Sequence, residues 1–351
     1  MVPARAVAGG SAVTRRPDTV LLAHGGGGRL TRELVRSTFL PAFRNPALET
    51  LTDAAILEPL PAGRLALTTD AFVVDPLEFP GGDLGRLAVC GTVNDLAVAG
   101  ARPVALTAAF ILEEGLETAL LDRLVASAAR AAAAAAVPIV AGDTKVVPRG
   151  KGDGIFAVTA GLGVVPTGRD LGDHRIVPGD VILVSGPIAA HGGTIVACRH
   201  GLAGGGLESD CAPLNGLVEH LLGSGVEVHA MHDPTRGGVA TTCNEVAERC
   251  NARLVLEATA IPVQPAVTAV CELLGLDPLY LACEGRLLAW VAADHAPRAL
   301  QVLREHPLGR EAACIGRVET AAAGGSVVLR TAYGVERPLD LLSGSEVPRI
   351  C

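Results

Sequence analysis

Five aspartates and one cysteine have the types and settings that chemistry would need. Asp95 lies in Leu84–Gly100, whose apolar residues point in all directions, so its helix should be buried on most sides. At 100° per residue it stacks over Leu84, Ala88 and Gly91, and it is the only charged residue between Arg86 and Arg102. An ionised carboxylate there costs on the order of several kcal/mol unless it is paired or bound to a metal. A distant arginine would satisfy it as well as a cation would. Asp70 ends the strand-like Leu65–Thr69, and Asp143 follows Val137–Gly142 and precedes Thr144 and Lys145. Asp233 follows Val228–Met231 and opens Asp233-Pro234-Thr235-Arg236-Gly237-Gly238, while Asp53 in Thr52-Asp53-Ala54-Ala55 is a weaker fifth. Taken singly, each is a good turn former or N-cap. Together, hard oxygens in loops past strand ends suit Mg²⁺ and a nucleotide phosphate.

Gly25, Gly26, Gly27 and Gly28 precede a helix without the Gly-Lys-Ser/Thr ending of a P-loop or a dinucleotide fingerprint. Their backbone N–H groups suit an anion, and a flexible turn suits them equally. His24, His191 and His232 fit structural roles. Cys351 is the last residue of a Gly/Ser-containing tail, where a thiol contributes nothing to a core and is free to travel; an inert end is the plain alternative.

The elements that must position these groups alternate irregularly. Strands are expected at Val20–Ala23, Ala54–Leu57, Leu65–Thr69, Val104–Leu112, Val137–Ala141 and Ile155–Val164, with helices near Leu30–Phe39 and from Leu116 through the alanine run 131–136. A turn-rich stretch, Val165–Asp180, leads to a second half. It has strands at Val181–Ser185, Val226–Met231, Leu254–Leu256, Leu287–Val291 and Val327–Leu329, and helices near Leu214–Leu222 and Val239–Arg249. No strict βαβ rhythm or repeat is visible, so the fold class is α+β. The expected division is a disordered lead-in over 1–17, an N-terminal domain over 18–166, a C-terminal domain over 167–335 and a mobile tail over 336–351.

Composition excludes several classes. The 351 residues are 49% hydrophobic, which rules out disorder, and no run of 18 apolar residues suits a membrane span. A net charge of −8 and 3% aromatics argue against nucleic acid as partner. Nine cysteines without a C-x-x-C pair point to reduced thiols and a cytoplasmic protein. Only Lys145 and Lys151 are lysines, which makes a lysine inside a motif notable.

Several stretches resemble a known family. They are Thr68–Leu77, Phe79–Asp83, Ala88–Ala97, Gly142–Pro148, His232–Gly238 and the tail Pro348-Arg349-Ile350-Cys351. The chain from about residue 20 onward resembles the HypE carbamoyl dehydratases of [NiFe]-hydrogenase maturation, within the PurM-like (AIR synthetase) superfamily. The terminal Pro-Arg-Ile-Cys is the specific mark, since sibling enzymes lack it. One departure is Gly26, where the family usually has serine, which removes a side-chain phosphate contact but leaves the backbone amides.

The resemblance implies a homodimer with a shared barrel, a C-terminal α/β domain, and ATP with Mg²⁺ near the dimer interface. By motif position the metal ligands would fall on Asp53, Asp70, Asp95 and Asp233. Nucleotide contacts would fall on Gly25–Gly28, Asp70, Asn94, Asp95, Asp143, Thr144, Asp233 and Asn244, with Glu245 a weaker candidate. Cys351 would receive a carbamoyl group from a HypF-type carbamoyltransferase, swing inward, be dehydrated to a thiocyanate, and pass cyanide to iron on a HypC–HypD scaffold. Lys145 and Glu284 are the candidate bases. The rival readings are a sibling synthetase or kinase and a non-catalytic ATP-gated thiol carrier. Selenophosphate synthetase is disfavoured, because no cysteine precedes Cys90 and no lysine precedes Lys145.

Overall fold

The computed structural model describes residues 17–202, 204–322, 324–342, 344 and 349–351; nearly all of the expected lead-in and, in the expected tail, residues 343 and 345–348 lie outside the described residues. The first half contains β1 (Gly63–Phe72), the two-residue β2 (Glu78–Phe79) and β3 (Gly82–Asp83), β4 (Arg102–Glu113), β5 (Ile139–Val147) and β6 (Ile155–Pro166). Four of these form a sheet in the order β1-β6-β4-β5, with β4 and β5 parallel and joined through the helix Thr118–Ala134. β1 pairs antiparallel with β6 from Gly63↔Pro166 to Phe72↔Ala157. Side chains alternate along β1: Ala66, Thr68 and Asp70 are half-buried, whereas Leu65 and Leu67 stand 66% and 79% exposed.

The helices Leu84–Val98 and Thr118–Ala134 pack on the inner face. Glycine sets how closely they approach. A Cβ at Gly85 would lie 1.9 Å from the Leu124 carbonyl oxygen, and one at Gly91 would lie 2.9 Å from the Phe72 ring. The Leu84–Val98 helix therefore lies against both its neighbour and β1, which carries Asp95 to the strand that holds Asp70.

The second half contains β7 (Val181–Val184), β8 (Val228–His232), β9 (Ala252–Glu257), β10 (Leu288–Val291), β11 (Ala313–Thr320), β12 (Ser326–Arg330) and β13 (Glu336–Pro338). They form one sheet in the order β13-β12-β9-β11-β7-β10-β8, in which only β9–β12 is parallel. Trp290, fully buried on β10, stands among the largest core side chains. The two halves interlock rather than merely touch. Ala97 packs in the core of the second half, while Ile195, Cys211, Ala282 and Ile350 pack in the core of the first.

Several expectations are corrected. Val20–Ala23 is not a strand: Thr19 before it makes an isolated antiparallel bridge with Glu117, and the chain then turns into a 3-10 helix, Leu22–Gly25. Ala54–Leu57 joins no strand pairing among the described residues, and Ile56 is 91% exposed. The helix Ala190–Arg199 and the strand β11 have no counterpart among the expected elements, because glycines interrupt their apolar patterns. Those glycines serve packing: a Cβ at Gly192 would lie 2.8 Å from Leu281 Cβ, and one at Gly316 would lie 2.4 Å from the Val255 oxygen. The stretch from 336 begins as β13, a strand of the second sheet, and Leu339 behind it is fully buried. All nine cysteines are free, as expected, and no helix among the described residues is long and apolar enough to cross a membrane.

Candidate active site

Four carboxylates and the terminal thiol meet where the two halves join. β1 contributes Thr68 and Asp70, and the Leu84–Val98 helix contributes Asp95, whose Oδ2 accepts a 2.6 Å hydrogen bond from Thr68 Oγ1. Asp233 follows β8 directly, and Arg236 sits in the turn that leads to the helix Gly238–Cys250. Gly237 and Gly238 have φ of +75° and +60°, and a Cβ at Gly238 would lie 2.6 Å from the carbonyl oxygens of Leu279 and Leu281. Only glycine lets this turn close against that loop. Glu284, in the loop before β10, is almost fully buried.

These acids raise one another. Burial, then repulsion from Asp95, pushes Asp70 up to about 6, against the pull of Arg236. Burial, then repulsion from Asp95 and Asp70, pushes Asp233 up to about 7. Burial also raises Asp95, opposed by its Thr68 hydrogen bond and by Arg236. Glu284 is held far above the usual carboxylate range by burial and then by Asp233, Asp210 and Asp70. Asp233 Oδ2 and Glu284 Oε1 are buried with no hydrogen-bond partner. A folded protein rarely leaves such oxygens unsatisfied without a functional reason.

Cys351 lies inside this cluster. Its thiol is raised by burial and then by the neighbouring Glu284; Arg236 and Asp70 also face it. The thiol is therefore protonated, and a neutral substituent on sulfur fits the same surroundings. The tail is held by its backbone. Val73 N–H donates to the Cys351 carbonyl oxygen at 3.2 Å, and Asp75 N–H donates to that of Arg349 at 3.3 Å. Arg349 pairs with Asp153.

The other sequence candidates divide into three groups. Asp53, Asp143 and Thr144 line a cavity of about 290 Å³ beside β5, with Phe39, Phe43 and Phe110 in its wall. Within one chain this is the opposite edge of the sheet from Asp70. Lys145 Nζ pairs with Asp143 at 2.8 Å on that side, so a single chain does not bring Lys145 to the thiol as it does Glu284. Gly25–Gly28 lie over β5 as well: a Cβ at Gly25 would be 2.6 Å from Val146 N, Gly27 has φ +77° and donates to Thr31 Oγ1 at 2.9 Å.

Asn94 and Asn244 donate their side-chain amide hydrogens to backbone carbonyls. Asn94 Nδ2 donates to the carbonyl oxygens of Ala212 and Glu284 at 3.1 and 3.3 Å, and its Oδ1 accepts from Leu214 N–H at 2.7 Å. A buried amide engaged on both sides positions Glu284 rather than facing a ligand. Asn244 Nδ2 donates to Ala240 and Leu339 oxygens at 2.8 and 2.7 Å, tying the Gly238–Cys250 helix to the chain past β13. Glu245, on the same helix, pairs with Arg249 at 3.5 Å. Sequence reasoning missed Arg236, the cation among the acids; its signal was a lone arginine three residues after Asp233.

Hard carboxylate oxygens, one of them unpartnered, form a donor set that suits Mg²⁺. Among the described residues no three His, Cys, Asp or Glu side chains are already gathered for a metal. That also fits Mg²⁺, which takes one or two carboxylates and completes its shell with phosphates and water.

Known proteins agree with this architecture. A family model for the N-terminal domain of AIR synthase related proteins matches residues 51–165, and one for their C-terminal domain matches residues 177–328. Carbamoyl dehydratase HypE of Rhodobacter capsulatus is 51% identical over 340 residues, covering 96% of this chain and 99% of its own. A crystal structure of the hydrogenase maturation protein HypE in complex with ATP superposes with a TM-score of 0.91 at 48% identity, covering 94% of this chain and 99% of that one. A chain from a HypE–HypF complex superposes with a TM-score of 0.77 at 42% identity, covering 90% of this chain and 100% of that one. The chain belongs to the HypE family of carbamoyl dehydratases, built from the two domains of AIR synthase related proteins.

Proposed function

We propose that the chain dehydrates an S-carbamoyl group on its own Cys351 to a thiocyanate, with ATP as the dehydrating substrate, to supply cyanide for the iron of [NiFe]-hydrogenase. The observation that carries this reading is the seat of the thiol: Cys351 lies beside Glu284, Asp70 and Arg236, and its backbone carbonyl is held by Val73 N–H. A tail that only needed to hold a modified thiol would have no reason to seat it against Glu284, Asp70 and Arg236.

The chemistry accounts for the arrangement. Oxide is too poor a leaving group to depart from an amide. The carbamoyl oxygen instead attacks the γ-phosphorus, ADP leaves, and the nitrogen gives up its first proton. The C–O bond then breaks, phosphate departs, and loss of the second N–H proton completes the C≡N bond. In sum, carbamoyl thiol plus ATP gives thiocyanate, ADP, phosphate and one proton. Glu284 lies beside the sulfur and is the carboxyl placed to take an amide proton once it is ionised, a state that a cation bound among its acidic neighbours would favour. The one or two carboxylates that would hold Mg²⁺ come from Asp70, Asp95 and Asp233, and the ion when bound offsets charge on the triphosphate. Arg236 would face the transferring phosphoryl group.

The second half of the site comes from another copy of the chain. β1 and β5 are the two unpaired edges of the four-stranded sheet, and Leu65 and Leu67 leave its outer face apolar and exposed. Two copies joined edge to edge would close a barrel and set Asp53, Asp143, Thr144, Lys145 and Gly25–Gly28 of one beside Asp70 and Asp95 of the other. The phenylalanine-lined cavity would then take the purine and the glycine loop the phosphates. A HypF-type carbamoyltransferase would load Cys351, and a HypC–HypD scaffold would receive the cyanide.

Oxygen-18 in the carbamoyl group tests the central step. The label is expected in the released phosphate in step with thiocyanate formation; label in bulk water would refute phosphorylation of the amide oxygen. Asp95→Asn separates the enzyme from the ATP-gated carrier, since only the enzyme loses product where ATP still binds.

A further inference from the structure

The proposed reaction needs Cys351 to be held while ATP is present and released to meet other proteins. The grip is more specific than an apolar pocket. His191, fully buried at the start of the helix Ala190–Arg199, has Nε2 2.7 Å from the carbonyl oxygen of Ile350 and Nδ1 2.8 Å from Ser209 Oγ. A carbonyl oxygen can only accept, so Nε2 carries the hydrogen and Nδ1 accepts from the Ser209 hydroxyl. Burial, the largest influence on this imidazole, lowers its proton affinity and keeps it in the neutral form that this pairing needs. Phe79 meets the ring edge-on, with centroids 5.3 Å apart.

His191 is also yoked to Glu284. Asp210 Oδ1 accepts from the backbone N–H of His191 and from that of Glu284, both at 3.1 Å. Arg286 Nε lies 3.4 Å from the other oxygen of Asp210. One carboxylate oxygen thus fixes the group that holds the tail backbone and the group that meets the tail thiol. Arg199, at the other end of the same helix, donates to the carbonyl oxygens of Asp75 and Arg349. Ile350 fills the space left by Gly192, its Cδ1 3.3 Å from where a Cβ would stand.

We propose that His191, set by Ser209 and Asp210, is the positioning residue that latches the Ile350 carbonyl and presents the sulfur of Cys351 to Glu284. The inference rests on the dehydratase reading for its purpose, but its geometry can be tested alone. His191 touches neither the sulfur nor the phosphate. Its loss releases the tail and slows only the inward step.

The test uses the full-length protein with iodoacetamide, following carboxamidomethylation of Cys351 by the mass of its C-terminal peptide. His191→Ala loses the latch and is expected to label about tenfold faster than the wild type. His191→Gln, whose Nε2 keeps a donor at similar reach, restores slow labelling. Ile350→Ala, on the tail itself, labels faster without disturbing the core. After carbamoylation by the transferase at an undiminished rate, His191→Ala forms thiocyanate about tenfold more slowly, and His191→Gln recovers.

Wild-type labelling in a folded His191→Ala protein would overturn the proposal, as would a Gln variant no better than Ala. Should the Ala variant not fold, Ser209→Ala leaves the ring in place but frees its tautomer; faster labelling supports the latch and an unchanged rate overturns it. Labelling needs neither ATP nor transferase. If His191→Ala exposes the thiol while no variant, wild type included, makes thiocyanate, the dehydratase reading fails and the latch stands.

Discussion

Two groups of charges in this molecule are built on opposite rules. On one face of the seven-stranded sheet, three arginines and three glutamates close a ring. Arg317 bridges Glu257 and Glu319 at 3.1 and 2.7 Å, Arg330 bridges Glu257 and Glu336 at 2.8 Å each, and Arg253 pairs with Glu319 and Glu336. Every charge has two partners of opposite sign across β9, β11, β12 and β13. The Arg330 hydrogen bond, first among several influences, holds Glu336 below the usual carboxylate range. At the junction of the halves, Asp70, Asp95, Asp233 and Glu284 crowd together with Arg236 acting on Asp70 and Asp95, and their protons are held more tightly rather than less. The ring stabilises the fold and has no capacity left for a ligand. The cluster destabilises the protein by itself and leaves carboxylate oxygens unpaired, as the proposed binding of a cation and a triphosphate requires.

Asp95→Asn is the largest break in that contrast. It removes a carboxylate from the cation-binding group, and thiocyanate formation should fall about a thousandfold. Asp233→Asn should likewise lose activity while raising stability at pH 8 by about 1 kcal/mol, a trade visible by paired assay and thermal melt. Glu284→Gln should still bind Mg-ATP but lose about a hundredfold in product, measured by ATP titration beside single-turnover yield.

The pH dependence of the metal-free protein follows from the same crowding. Asp70 and Asp233 have folded values of about 6 and about 7, above the unfolded carboxylate, so the folded state binds their protons more tightly. That contribution is fully present below the unfolded value near 3.8 and is lost as pH rises through about 6 to 7. Melting temperature should fall across this window, and Asp233→Asn should flatten its upper part. The smallest effect belongs to the ring. Arg317→Ala should cost about 1 kcal/mol, less at high salt, and leave thiocyanate formation unchanged.

What the sequence revealed of the site follows this division. Asp95 was legible because it is a lone charge in an apolar helix, and Asp70 and Asp233 because they end strands; the structure brings all three together. Cys351 was legible from its position and from the terminal motif. His191 and Asp210 were not. Their roles depend on contacts to Ile350 and Glu284, 159 and 74 residues away, which no local spacing encodes. Asn94 and Asn244 sat in the right stretches, yet their amides are engaged by backbone. The fold class and most strands followed from apolar periodicity. The helix Ala190–Arg199 and β11 did not, because glycines needed for close packing break the pattern that marks them.

The most direct test is intact mass of the full-length protein after incubation with a HypF-type carbamoyltransferase, carbamoyl phosphate and Mg-ATP, beside Cys351→Ala. Carbamoylation adds about 43 Da and conversion to thiocyanate leaves a net gain of about 25 Da. The account predicts the smaller gain in the wild type, dependent on hydrolysable ATP and absent from Cys351→Ala. No adduct, or the same adduct in both proteins, would contradict it.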